Sequence, residues 1–367
     1  MRRVRRWAAR TAAVAALAGV LWAAWPWSGA NYLLRQAYFQ IELLGGAIPV
    51  EDALADDRLS AAQRDQLRLV ADIKAFGGTV GLSATTENYN RVHVGWPREI
   101  WNLSACHPYA FASKRWWFPV VGSMPYIGFF REQDARPFAR DLQRSGWDVY
   151  LRTAGAYSTL GWFADPILPQ MLSWSEPELA DTLLHELTHA TLWVPGSAQF
   201  NESFATVVGQ HAALAWAVHR HGASSDEVRT LLAFRRDVER FREVQHQLYR
   251  ALDALYRDPS VPRGDLPVRK GALFASLPVR VAQAGLSDPA RFVRATQRGT
   301  WNNARLVQFR TYNRGQDWFE ALLAQEGGDL PRFIARVRAL GAAGGDPWAA
   351  LAAAVGADPD DLDLGDG

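Results

Sequence analysis

The run His185-Glu186-Leu187-Thr188-His189 constrains this chain more than any other feature. Two imidazoles four residues apart share one face of a helix, so the fold must supply a helix here and a further element against that face. The helix is signalled independently. Ser175 and Glu178 have capping-box spacing, Pro177 stands near the start where its missing N–H costs little, and Leu179, Leu183, Leu184, Leu187 and Ala190 give an apolar surface. Pro195-Gly196 marks where it must already have ended. Two neutral histidines buried beside such a surface each need a hydrogen-bond partner unless they share a metal ion.

The H-E-x-x-H pattern is a zinc-binding pair in which Glu186, one position along, can reach a water on the ion without ligating it. A catalytic zinc takes three protein ligands and keeps a fourth position open. Glu202, within Asn201-Glu202-Ser203-Phe204-Ala205, is the third candidate. The twelve residues from Ala190 to Asn201 suffice to finish one helix, turn at Pro195-Gly196 and start another alongside it. With Asn201 as N-cap, Glu202 falls where the helix dipole favours a carboxylate. His211 competes for the third place, but it lies more than two turns further along and does not easily share an ion with Glu202. The expectation is one Zn2+ per chain on His185, His189 and Glu202, with Glu186 as general base. The oxyanion stabiliser is sought in Tyr312 or Tyr157.

Around this motif the chain reads as an α+β fold, mainly helical with a small mixed sheet. Apolar residues recur at helical spacing through Leu33, Leu34, Tyr38, Ile41 and Leu44 as far as Gly45-Gly46. Ser60 and Gln63 open a second helix that runs to Gly77-Gly78. From Tyr89 to Tyr157 segments rich in Val, Trp, Phe and Tyr, such as 116–121 and 126–130, are broken at Gly122-Ser123 and similar turn signals, which predicts a small sheet with at least one hairpin. Residues 148–152 and 156–163 read as further strands, the second ended by Asp165-Pro166. Lying just ahead of the zinc helix, that second strand is the candidate edge on which an extended substrate adds, through Ala156, Tyr157, Ser158, Thr159, Leu160 and Gly161. Helices are expected again from Asn201 to about Gly222, from Ser224 to Tyr256, and over 317–326 and 330–340, with a basic, Pro- and Gly-containing loop at 261–271.

Residues 31–355 thus form the catalytic domain, and the helical run from about residue 224 allows a C-terminal subdomain within it. Residues 356–367 are acidic and read as a disordered tail. Residues 1–30 are different: Arg2, Arg3, Arg5, Arg6 and Arg10 precede an apolar stretch over 11–25 and the triplet Ser28-Gly29-Ala30. This is a signal peptide or an N-terminal membrane anchor, with Trp22, Trp25 and Trp27 as a belt in the second case. Either reading sends the catalytic domain to the periplasm or the extracytoplasmic face of the membrane. The net charge of only +2, with no basic run beyond the N-terminus, argues against a nucleic-acid partner. The single Cys106 forms no intrachain disulfide and reads as a small buried hydrophobe.

The H-E-x-x-H…N-E-x-x-A arrangement resembles the gluzincins, zinc metallopeptidases whose third ligand is a Glu on a following helix. Several segments are more closely similar to a bacterial family of predicted aminopeptidases. They are Trp116-Trp117-Phe118-Pro119-Val120-Val121-Gly122, Ala156-Tyr157-Ser158-Thr159-Leu160-Gly161-Trp162-Phe163, residues 183–190, residues 200–209 and Asn302-Asn303-Ala304-Arg305. The resemblance implies a zincin-like domain and a peptide or protein substrate. Members often begin with a lipoprotein Cys, and no Cys follows the apolar run here. Thr206 stands where many gluzincins carry an Asp that orients a ligand, so that orientation must come from elsewhere. Three readings remain: an aminopeptidase, an endopeptidase, or a membrane-tethered binding or scaffold protein with a non-catalytic zinc.

Overall fold

Helices dominate the computed structural model, which describes residues 29–83, 87–95, 98–118, 122–154, 165–313 and 315–358, with only the backbone at 29–30 and 309–313. The first helix, α1 (Gly29–Gly46), stops at its glycine pair. Strand β1 (Ile48–Pro49) and the short α2 (Val50–Leu54) lead to α3 (Ala61–Thr79). The capping box of α3 is complete: Ser60 Oγ accepts from the Gln63 N–H at 3.2 Å, and Gln63 Oε1 accepts from the Ser60 N–H at 2.9 Å.

The sheet is antiparallel. Strand β2 (Arg91–Val92) pairs with β1, and β4 (Trp116–Phe118) forms a hairpin with β5 (Gly122–Met124). The main sheet has β3 (Trp101–Cys106) between β6 (Tyr126–Phe129) and β7 (Asp148–Thr153), with Leu103 opposite both Ile127 and Leu151. The mixed character expected from the sequence reduces, among the described residues, to one isolated parallel bridge between Val92 and Ile167. A helix that the sequence reading missed, α4 (Glu132–Arg144), covers this sheet. Pro137 interrupts its pattern, and its buried residues Ala135 and Ala139 are too small to announce an apolar stripe.

A 3-10 turn at Pro169–Ser173 precedes the central pair, α5 (Glu176–Thr191) and α6 (Ala198–His221). The long α7 (Asp226–Arg257) is capped by Ser225, whose Oγ accepts from the Val228 N–H at 3.2 Å. The remaining helices are α8 (Leu266–Ala275), α9 (Leu277–Ala282), α10 (Pro289–Gln297), α11 (Asn303–Asn313), α12 (Gln316–Gln325), α13 (Leu330–Ala342) and α14 (Pro347–Val355). The stretch expected as a loop at 261–271 is a 3-10 turn running into α8, where Pro267 sits in the first turn and is compatible with the helix.

Three apolar cores organise these elements. The largest joins α3, α5, α6, α12, α13 and α14, with Phe204, Phe319 and Phe333 in mutual ring contact. The second packs α7 to α11 against Phe111 and the buried Cys106. The third lies between the main sheet and α4. Among the described residues no helix is long and apolar enough to cross a membrane. The arginine-flanked stretch, the proposed substrate strand at 156–163 and the end of the acidic tail fall outside the described residues.

Candidate functional site

Helix α5 starts as its sequence requires, with the Glu178 carboxylate accepting from both the N–H and the hydroxyl of Ser175, at 3.2 and 2.7 Å. Leu179, Leu183, Leu184 and Leu187 are fully buried, which fixes the roll of the helix and turns His185 and His189 to the opposite side. After Thr191 the chain reverses and α6 returns antiparallel. Asn201 is not its N-cap, because α6 begins at Ala198. Instead Asn201 is buried inside the helix and clamps the reversal: its Oδ1 accepts from the Val194 N–H at 2.9 Å, and its Nδ2 donates to the Val194 carbonyl at 2.8 Å. Further along, Gly209 lets the two helices touch. A Cβ built there would lie 3.0 Å from the Asp181 carbonyl oxygen and 3.1 Å from His185 Cβ.

This pairing brings the three sequence candidates together. His185 Nε2 and His189 Nε2 are 3.2 Å apart, and Glu202 Oε2 is 3.4 Å from the first and 3.5 Å from the second. His189 and Glu202 are buried and His185 is partly buried, and together they could hold a metal ion. Burial alone would raise the Glu202 pKa, but the His189 charge and hydrogen bonds from both imidazoles hold it well below the usual carboxylate range. For His185 burial acts the other way, yet the Glu202 hydrogen bond and the charges of Glu186, Glu202 and Asp181 outweigh it and push its pKa up to about 8. Glu202 and His185 thus favour each other's charged forms. Tyr126 on β6 completes the surroundings of Glu202, its hydroxyl donating to Oε1 at 3.3 Å.

Glu186 is half-buried beside this cluster and makes no hydrogen bond or ion pair among the described residues. Thr206 donates to its own helix, at the Glu202 carbonyl, 2.7 Å away, so it orients no ligand ring. His211 is engaged elsewhere, 2.9 Å from Glu320 on α12. His221 pairs with Glu176, His219 packs on Phe76 and His246 stacks on Tyr249, so all of these stand apart from the cluster. Of the sequence candidates, the side chain of Tyr312 and all of residues 156–161 lie outside the described residues.

The cluster forms part of the wall of a cavity of about 890 Å³. Residues 31–346 match the model of a family described as "Putative aminopeptidase". The chain belongs to that family. No curated protein and no solved structure matches it. The family match takes in both helices of the cluster and every residue lining the cavity. Membership in an aminopeptidase family points to a peptide substrate, and the cavity suits one. Tyr32 and Phe118 face it from one side, Tyr150 and Arg152 from β7, and Phe241 and Trp301 from α7 and the start of α11.

Two residues in this aminopeptidase-family cavity escaped the sequence reading. Tyr126 stands on a strand whose alternate residues, Ile127 and Phe129, are buried, so period-two alternation could have turned its hydroxyl away from the core. Asp181 lines the cavity one turn before His185, and its i−4 spacing was the available signal. Burial pushes the Asp181 pKa up, against the charges of His185 and Arg235.

Proposed function

We propose that this chain is a zinc-dependent peptidase of aminopeptidase type, with a zincin-like catalytic domain of the gluzincin kind. The observation that carries the reading is the triangle of ligand atoms, with sides of 3.2, 3.4 and 3.5 Å, in the wall of a peptide-sized cavity. Zinc bonds of about 2.0–2.1 Å in a tetrahedron put neighbouring ligand atoms about 3.3–3.4 Å apart, so these residues fit that ion without rearrangement. Two imidazoles and one carboxylate also leave a position for water, unlike the closed, Cys-rich sets of structural zinc.

Zinc held there supplies a Lewis acid that lowers the pKa of a coordinated water towards ~7. Glu186 takes the proton from the attacking water and delivers it to the leaving amine, a role open to it because no side chain competes for its carboxylate among the described residues. Tyr126 keeps Glu202 turned towards the imidazoles by holding its second oxygen. The arginine-flanked N-terminal stretch supports an extracytoplasmic location for the catalytic domain.

The test is hydrolysis of a panel of free and N-acetylated peptides by zinc-loaded protein, with Glu186→Gln beside it. The variant is expected to bind zinc as wild type does and to lose turnover by at least about a thousandfold. Undiminished turnover in Glu186→Gln refutes the mechanism, and cleavage of acetylated peptides as fast as free ones makes the enzyme an endopeptidase.

A further inference from the structure

The peptidase reading leaves one acidic group in the cavity without a task. Among the described lining residues there are three carboxylates: Glu202 is held by the two imidazoles and Tyr126, Glu186 is the base, and Asp181 remains. Asp181 makes no hydrogen bond and no ion pair among the described residues. Asp181 is half-buried, and a poorly solvated carboxylate with no ion pair is stabilised once a cation meets it. The cavity's two arginines do not answer that need. Arg305 donates to the carbonyls of Arg298 and Ala295 and stacks on Trp301, and Arg152 projects from β7 with no ion pair to Asp181. Arg235, outside the cavity lining, senses the Asp181 charge but forms no ion pair with it.

A second group points the same way. Gln245 on α7 is buried and lines the same cavity, and its side-chain oxygen has no hydrogen-bond partner among the described residues. Two unsatisfied acceptors, one of them charged, suit a ligand with several N–H donors and a positive charge. An aminopeptidase substrate presents such a group within one residue of the bond to be cut. Asp181 precedes His185 by one helical turn on the same face, about 6 Å along the axis, which is the reach of a single amino-acid residue.

We propose that Asp181 is the specificity-determining anchor for the free α-ammonium group of the substrate, so that the cavity accepts peptides with an unblocked N-terminus. This rests on the peptidase reading of the site. The aromatic rings of Phe241, Trp301 and Tyr150 in the same cavity favour an apolar or aromatic first residue.

The anchor is tested by calorimetric titration of zinc-loaded, full-length protein with phenylalaninamide and N-acetylphenylalaninamide, in wild type, Asp181→Asn and Asp181→Glu. Zinc content and peptide hydrolysis are measured in parallel. Wild type is expected to bind the free amine at least about tenfold more tightly than the acetylated compound. Asp181→Asn loses that preference while keeping its zinc, and Asp181→Glu, which retains the charge, recovers part of it. Equal binding of both compounds by wild type overturns the anchor. So does an Asp181→Asn variant that loses zinc, or that loses turnover equally on free and acetylated peptides, since Asp181 would then serve only to position His185. Amine preference without cleavage of any peptide supports the anchor and sinks the peptidase reading. Cleavage without amine preference does the reverse.

Discussion

Replacing Gly209 by Ala tests whether the closeness of α5 and α6 sets the proposed metal centre. The new Cβ would meet the Asp181 carbonyl oxygen at 3.0 Å, His185 Cβ at 3.1 Å and the His185 nitrogen at 3.3 Å. None of these atoms can rotate away, so the helices must part by about 0.4 Å to regain ordinary contact. That is about twice the ±0.2 Å within which metal–ligand distances hold. Helix α6 is rigid, and Glu202 lies two turns from Gly209, so the shift is carried to the third ligand. Two energies oppose each other. Ala in a helix interior gains about 0.5–1 kcal/mol over Gly, whereas overpacking costs about 1–3 kcal/mol. The clash wins, and Gly209→Ala is expected to lose about 1–2 kcal/mol in urea unfolding and at least about tenfold in zinc affinity by chelator competition. Gly78→Ala is the control, since a Cβ at Gly78 would meet nothing within 4 Å. If Gly209→Ala matches or exceeds wild type in both stability and zinc affinity, the helix contact does not govern the site and the reasoning fails.

Other consequences can be checked with equal directness. Tyr126→Phe removes the hydroxyl that donates to Glu202 and should weaken zinc binding by about tenfold with little change in unfolding midpoint. Asn201→Ala breaks both bonds to Val194 in a buried setting and should cost about 2 kcal/mol in denaturant unfolding. Asp237 accepts from the Ser287 and Asp288 N–H groups at 2.7 and 3.0 Å; burial would raise its pKa, but these bonds lower it. A carboxylate whose folded pKa is depressed stabilises the fold above its unfolded value of about 3.9, and that contribution is lost as the pH falls through the folded value. The stability gap between wild type and Asp237→Asn should therefore be widest near about pH 6 and narrow towards about pH 3, and a gap that widens in acid would refute the assignment.

Local signals wrote most of the helices into the sequence. The caps at Ser60 and Ser175 and the leucine spacing of α5 act within one or two turns, and the structure follows them. The joint placement of His185, His189 and Glu202 was legible for the same reason, since a short reversal between two helices leaves few other arrangements. Asn201 misled because a good capping residue is also a good clamp: its side chain satisfies the backbone of Val194 across the turn rather than the first turn of α6. Tyr126 and Asp181 stand at positions that local period could mark, but their roles depend on how β6, α5 and α7 meet, which local spacing does not specify.

The cavity lies where the three cores adjoin. Helices α5 and α6 belong to the largest core, while Tyr32, Phe118 and Phe129 belong to the sheet-and-α4 core, and Tyr150, Phe241 and Trp301 to the core of α7 to α11. The His185, His189 and Glu202 cluster and most of the aromatic wall are thus mounted on separate packing units. Substitutions among those wall residues can therefore reshape the chamber without replacing any member of the His185, His189 and Glu202 cluster. On the peptidase reading, a scaffold divided in this way lets one centre serve descendants of differing appetite.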